Sequence, residues 1–89
     1  MIRQNQIVRI ESKRHAVNAA ICLQVFRTTP ELAPLLAMIP GRPTRVKVKR
    51  AAWFAYEEGG RIIDFIAMQI DESCDWQQVD GRHLTITKA

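Results

Sequence analysis

The sequence predicts an α+β fold in the order β–α–α–β–β–β–β, an antiparallel sheet with two helices packed on one of its faces. Three observations point there. An alanine-rich apolar segment over residues 15–27 carries helical spacing, and residues 29–41 carry helix start and stop signals. From Thr44 onward, β-branched and aromatic runs alternate with glycine-bearing turns.

The first element is a strand from Gln4 to Glu11, dominated by Ile7, Val8 and Ile10. "HAVNAAICLQVFR" then reads as a helix. Ala16, Ala20 and Leu23 form one line, and Ala19, Leu23 and Phe26 a second, with Asn18 and Gln24 off that face. A buried strand through "ICLQVF" fits the periodicity as well, and the alanines tip the reading to helix. In "TTPELAPLLAMIPGRP", Thr29 serves as N-cap, Pro30 as the first helical residue and Glu31 as a partner for the positive dipole end. Leu32, Leu35, Leu36 and Ile39 give this helix its apolar face, and Pro40-Gly41 ends it. Two long strands follow, Arg45 to Glu57 and Arg61 to Asp71, around the turn "EEGG". "WQQV" and "RHLTIT" flank Asp80-Gly81, a second hairpin signal.

Eighty-nine residues suit one domain, residues 1–89, with a single modest core. The 47% hydrophobic and 25% charged content is that of a globular chain. No apolar run approaches the roughly 20 residues of a membrane span, and "MIRQNQIVRIES" lacks the apolar stretch of a signal peptide. The expectation is a soluble cytoplasmic protein with no membrane partner. Cys22 and Cys74 stand far apart in sequence, which suits two reduced structural thiols. His15, Cys22, Cys74 and His83 lack the spacing of a zinc site, so no metal and no cofactor is expected.

The net charge of +4 hides an asymmetry: residues 1–50 hold ten Lys/Arg and two acids, residues 51–89 three Lys/Arg and seven acids. That split marks either a nucleic-acid-binding half or charges that pair across one small fold. The stretch "RVKVKRAAWFAY" sharpens the first possibility. In a strand Arg45, Lys47, Lys49, Ala51 and Trp53 point one way, a positive ladder that ends in an indole. Cations neutralise phosphates and aromatic rings stack on bases, so the ladder with Arg42 suits single-stranded nucleic acid. Arg3, Arg9, Lys13 or Arg14 would extend the footprint. The plainer account is that edge lysines discourage aggregation while Trp53 fills a core or interface.

No nucleophile elbow, phosphate loop, paired-histidine helix or dinucleotide fingerprint is present. The phrase "RVKVKRAAWFAYEEGGRIIDFIAMQ", set after one strand and two helices, resembles the central strands of RelE-like toxins, small basic ribonucleases that cut messenger RNA on the ribosome. The resemblance covers about a third of the chain. It implies site residues among Tyr56, Arg61, Arg82 and His83, none of which matches one for one.

The leading expectation is a non-catalytic module that binds an acidic partner, nucleic acid first, through Arg42, Arg45, Lys47, Lys49 and Trp53. Its rival is a protein-binding regulator or inhibitor of the kind phages and mobile elements encode, working through Glu57, Glu58, Asp71, Glu72 and Asp75. Apolar residues on both faces of the central strands ("AAWFA", "IIDFIAM") further suggest a homodimer that buries one sheet face.

Overall fold

A computed structural model of the chain describes residues 2–37, 48–69, 74–78 and 80–89. Among these, six strands form one closed antiparallel barrel: β1 (Ile7–Glu11), β2 (Ala16–Phe26), β3 (Arg50–Glu58), β4 (Arg61–Gln69), β5 (Asp75–Gln78) and β6 (His83–Lys88). One short helix among the described residues, α1 (Thr29–Leu36), lies between β2 and β3. The fold is thus nearly all sheet, which overturns the expected α+β arrangement. The order is β–β–α–β–β–β–β, and β1 pairs with β6 to close the ring, so the six strands leave no open edge.

The largest correction is residues 16–26, an eleven-residue strand where the alanines predict a helix. Of its three alanines only Ala20 is buried, and there smallness serves packing rather than helix propensity; Ala16 and Ala19 are exposed. Ala20, Cys22, Ala52 and Ala67 are 0–2% exposed inside the barrel, and Ala52 lies directly opposite Ala67. A six-stranded barrel is narrow, so small residues must face large ones for its interior to fill without strain. The large ones are Phe54 and Trp76, with ring centroids 5.5 Å apart in an edge-to-face contact, and Phe65, 5.6 Å from Phe54. Val8, Ile10, Leu84 and Ile86 complete this core from β1 and β6. Trp76 is 1% exposed, and its indole N–H finds no acceptor among the described residues.

β2 must bend to pair with both β1 and β3. Its register shifts between the Val8 and Ile10 pairs on one side and between Cys22 and Gln24 on the other. Such bulges add local twist and curvature, which a small closed barrel requires.

The helix is one of the two expected and lies close to its predicted start. Thr28, not Thr29, is the N-cap, and Pro30 falls in the first turn. The Glu31 carboxylate accepts the backbone N–H groups of Arg27 at 2.8 Å and Thr28 at 3.3 Å, the reach-back half of a capping box. Those two bonds hold its carboxyl below the ordinary range. Ala37 is the C-cap; the expected stop at Pro40-Gly41 lies outside the described residues.

Leu32 packs α1 on the outside of the barrel against Ala51 and Met68, with Phe26, Leu35, Leu36, Val48 and Ile66 around them. This explains the two-faced apolar strands. One face of β3 and β4 fills the barrel, and part of the other lies under α1. The ground for expecting a second copy on that face is therefore partly taken by the chain itself.

The β3–β4 turn is read correctly. Glu58 pairs with Arg61 across Gly59 and Gly60, at φ 59° and 79°, the left-handed pair of a type I′ turn. In the β5–β6 hairpin the Gly81 N–H donates to the Gln78 carbonyl at 2.9 Å, with Gly81 at φ 94°. No helix among the described residues is long and apolar enough to cross a membrane.

Candidate nucleic-acid interface and barrel mouth

In an up-and-down barrel, the starts of β1, β3 and β5 share one end with the finishes of β2, β4 and β6. The described side chains there are Arg3, Arg27, Lys49, Arg50 and Lys88 against Glu31 and Asp75. The opposite end carries Lys13, Arg14, Arg61 and Arg82 against Glu11, Glu57, Glu58 and Asp80. Among the described residues, cations predominate at the first end only.

Of the expected phosphate contacts, Arg42, Arg45 and Lys47 lie outside the described residues. Lys49 is exposed at the basic end, its backbone N–H bonded to the Gln69 carbonyl at 2.8 Å. Trp53 is 36% exposed on the outer face of β3, and its indole N–H donates to Asp64 Oδ2 at 2.9 Å. Between the two, Ala51 is fully buried in the α1 seam. Trp53 lies on the outer face of β3, Lys49 precedes the first strand residue Arg50, and helix packing covers Ala51 between them. The ladder is not continuous.

A recess at the basic end escaped sequence reasoning. It holds about 390 Å³ and is lined by Arg3, Gln4, Asn5, Gln6 and Lys88. Asn5 sits at φ 68°, its N–H donating to the Cys22 carbonyl at 2.7 Å, while the Cys22 N–H returns to the Gln6 carbonyl at 2.9 Å. These bonds pin the segment entering β1 onto β2. The Ala89 N–H bonds to the Ile7 carbonyl at 3.2 Å and Lys88 pairs with Val8, which brings the last strand beside the first. Two cations and three amides line this recess, with no carboxylate among the described residues. Arg3 and Lys88 are eighty-five residues apart in sequence, so only barrel closure unites them.

At the opposite end the hairpin tips surround a mouth of about 430 Å³. Ile10, Val17, Phe65 and Leu84 form its apolar lining, and Tyr56, His15, Glu58, Gln78 and Arg82 its polar wall. His15 Nε2 lies 3.3 Å from Glu58 Oε2, which ties the β1–β2 hairpin to the β3–β4 hairpin. The His15 and Tyr56 rings are 6.3 Å apart. Burial, with the Glu58 charge adding to it, pushes the Tyr56 phenol above its ordinary value. Both conditions disfavour a phenolate.

The other candidate positions are dispersed. Glu57 and Glu58 stand on the β3–β4 hairpin at the mouth, whereas Asp75 opens β5 at the far end; Asp71 and Glu72 lie outside the described residues. The acidic surface expected of a protein-binding regulator is therefore not one patch among the residues described. Tyr56 and Arg82 meet in the mouth with His83 close by, although two strands and one helix replace the strand–helix–helix start behind the toxin resemblance. Both cysteines are free thiols; Cys22 is buried in the barrel, which raises its pKa, and Cys74 is exposed. Among the described residues no three His, Cys, Asp or Glu side chains converge as a metal site. Comparison with protein-family models, with curated proteins and with solved structures found no match.

Proposed function

We propose that the protein is a binding module for an acidic partner, single-stranded nucleic acid first, engaged at the basic end of the barrel. The observation that supports this reading is the charge segregation between the two ends among the described residues, centred on the recess of Arg3 and Lys88, whose described lining holds no acid. Cations there would neutralise phosphates, and the amides of Gln4, Asn5 and Gln6 can donate to and accept from base edges. Lys49 adds a further cation from the start of β3, and the segment holding Arg42, Arg45 and Lys47 leads directly into it in sequence. Trp53, already bonded to Asp64, is the weaker candidate for stacking.

The test is binding of a labelled single-stranded RNA at several salt concentrations. Replacing Arg3, Lys49 and Lys88 singly with glutamate should each lower the slope of log K against log salt by about 0.7, the share of one neutralised phosphate. Lys13→Glu and Arg14→Glu, at the other end, should leave it unchanged. A wild type without salt-dependent binding would end this reading. The protein-regulator alternative would then lead, favoured by Ile62, 74% exposed beside Glu57 on the β3–β4 hairpin.

A further inference from the structure

Beside the mouth of the barrel lies a second cavity of about 560 Å³, lined by Ser12, Lys13, Arg14, Arg82 and His83, and the two cavities share Ser12 and Arg82. They differ in chemistry. The first has a floor of Ile10, Val17, Phe65 and Leu84 that continues the aromatic core through Tyr56 and Phe65, 6.5 Å apart. The second is walled by cations and holds no carboxylate among the described residues. The acids that do line the mouth already have partners: Glu58 meets His15 at 3.3 Å, and Asp64 accepts the Trp53 indole at 2.9 Å.

We propose that this composite site binds a small organic monoanion with an apolar or aromatic body, a hydrophobic carboxylate or sulfonate. The body enters the mouth, and the anionic head lies between the β1–β2 and β5–β6 hairpins. Mouths of small β-barrels are common ligand sites because closure leaves the strand ends as a ring around an apolar interior. Apolar burial drives the body in, while the head needs charge-assisted donors. Arg82 holds Asp80 through Nε at 3.3 Å, and a guanidinium carries further N–H donors that suit a carboxylate. Lys13 and Arg14 are exposed on the neighbouring tip with no ion pair among the described residues. A cationic ligand would meet the wrong lip, and a wholly apolar one would leave the basic cavity unused. The site is independent of the nucleic-acid reading, because it sits at the opposite end of the barrel.

The probe is anilinonaphthalene sulfonate, an aromatic monoanion that fluoresces when desolvated, with phenylnaphthylamine as the uncharged counterpart of similar shape and octanoate as competitor. The native protein should bind the sulfonate at one site and release it to octanoate. The triple variant Lys13→Gln, Arg14→Gln, Arg82→Gln should weaken the sulfonate about tenfold or more while leaving the uncharged probe within about twofold. Ile63→Trp, at a half-exposed position of the mouth, should obstruct both probes with the fold retained by circular dichroism. Arg3→Gln with Lys88→Gln should alter neither. No saturable binding, equal binding by the triple variant, indifference to Ile63→Trp, or loss in the Arg3 and Lys88 variant would each overturn the assignment.

Discussion

The two ends of this barrel are built from the same six strands yet are finished differently. At the basic end, α1 folds over the outside of β3 and β4, and Leu32 closes an apolar seam with Ala51 and Met68. At the mouth the strands end in tight hairpins, and Val17, Ile63 and Phe65 of its lining stay partly exposed alongside His15, Glu58 and Arg82. The difference teaches where stability and binding capacity reside. A covered seam fixes one end, whereas turns and the exposed His15–Glu58 pair hold the other. Among the described residues the charges follow the same division, unbalanced at the helix end and mixed at the mouth.

The strongest way to break this comparison is to attack what both ends share. Phe54 is fully buried and touches Phe65 toward the mouth and Trp76 deeper in the barrel. Phe54→Ala should cost about 3–5 kcal/mol in urea unfolding, with a single transition at every probe. Two separate transitions would mean that the ends unfold as independent units.

A helix-end substitution should have a smaller effect. Leu32→Ala opens the outer seam rather than the barrel, so a loss of about 2 kcal/mol is expected, the low end for a buried leucine. Backbone amide exchange should quicken in α1 and leave the β3–β4 hairpin unchanged. Faster exchange at Gly59 and Gly60 would show that helix packing controls the mouth after all.

The corresponding change at the mouth is Gly60→Ala. A Cβ there meets no heavy atom within 4 Å, so its cost is the left-handed backbone at φ 79°. About 1 kcal/mol of stability should be lost, read from the thermal midpoint. An unchanged midpoint would mean that the hairpin relaxes out of its turn type without penalty.

The smallest expected effect is a pH profile with one limb from each end. Glu31, at the helix end, has a lowered carboxyl pKa, so its contribution is present above the unfolded value of 4.5 and is lost as pH falls through the folded one. Tyr56 at the mouth is raised. Its contribution is complete below the unfolded value of 10.0 and is lost as pH rises through the folded one. Cys22, also raised from 9.0 by burial, acts in the same alkaline direction from within the barrel. Glu31→Gln should flatten only the acid limb and Tyr56→Phe only part of the alkaline limb, followed by denaturant midpoints across pH. Crossed effects would show that the two ends are electrostatically coupled.

Much of the local structure is legible in the residues themselves. Runs of β-branched and aromatic residues between turn signals give β1, β3, β4 and β6, the Gly59-Gly60 pair gives its turn, and Thr-Pro-Glu gives the helix start to within one residue. These depend on chain-local sterics and hydrogen bonding, which neighbouring residues encode. Tertiary structure alone decided that Ala16–Phe26 is a strand, because Ala20 and Cys22 are small to suit a narrow barrel interior and local propensity carries no information about that space. It also decided both candidate sites. Pairing of β1 with β6 sets Arg3 beside Lys88 and Ser12 beside Arg82, and β2–β3 pairing sets His15 against Glu58. Closure of a sheet is a long-range event, and no residue announces its partner across the ring.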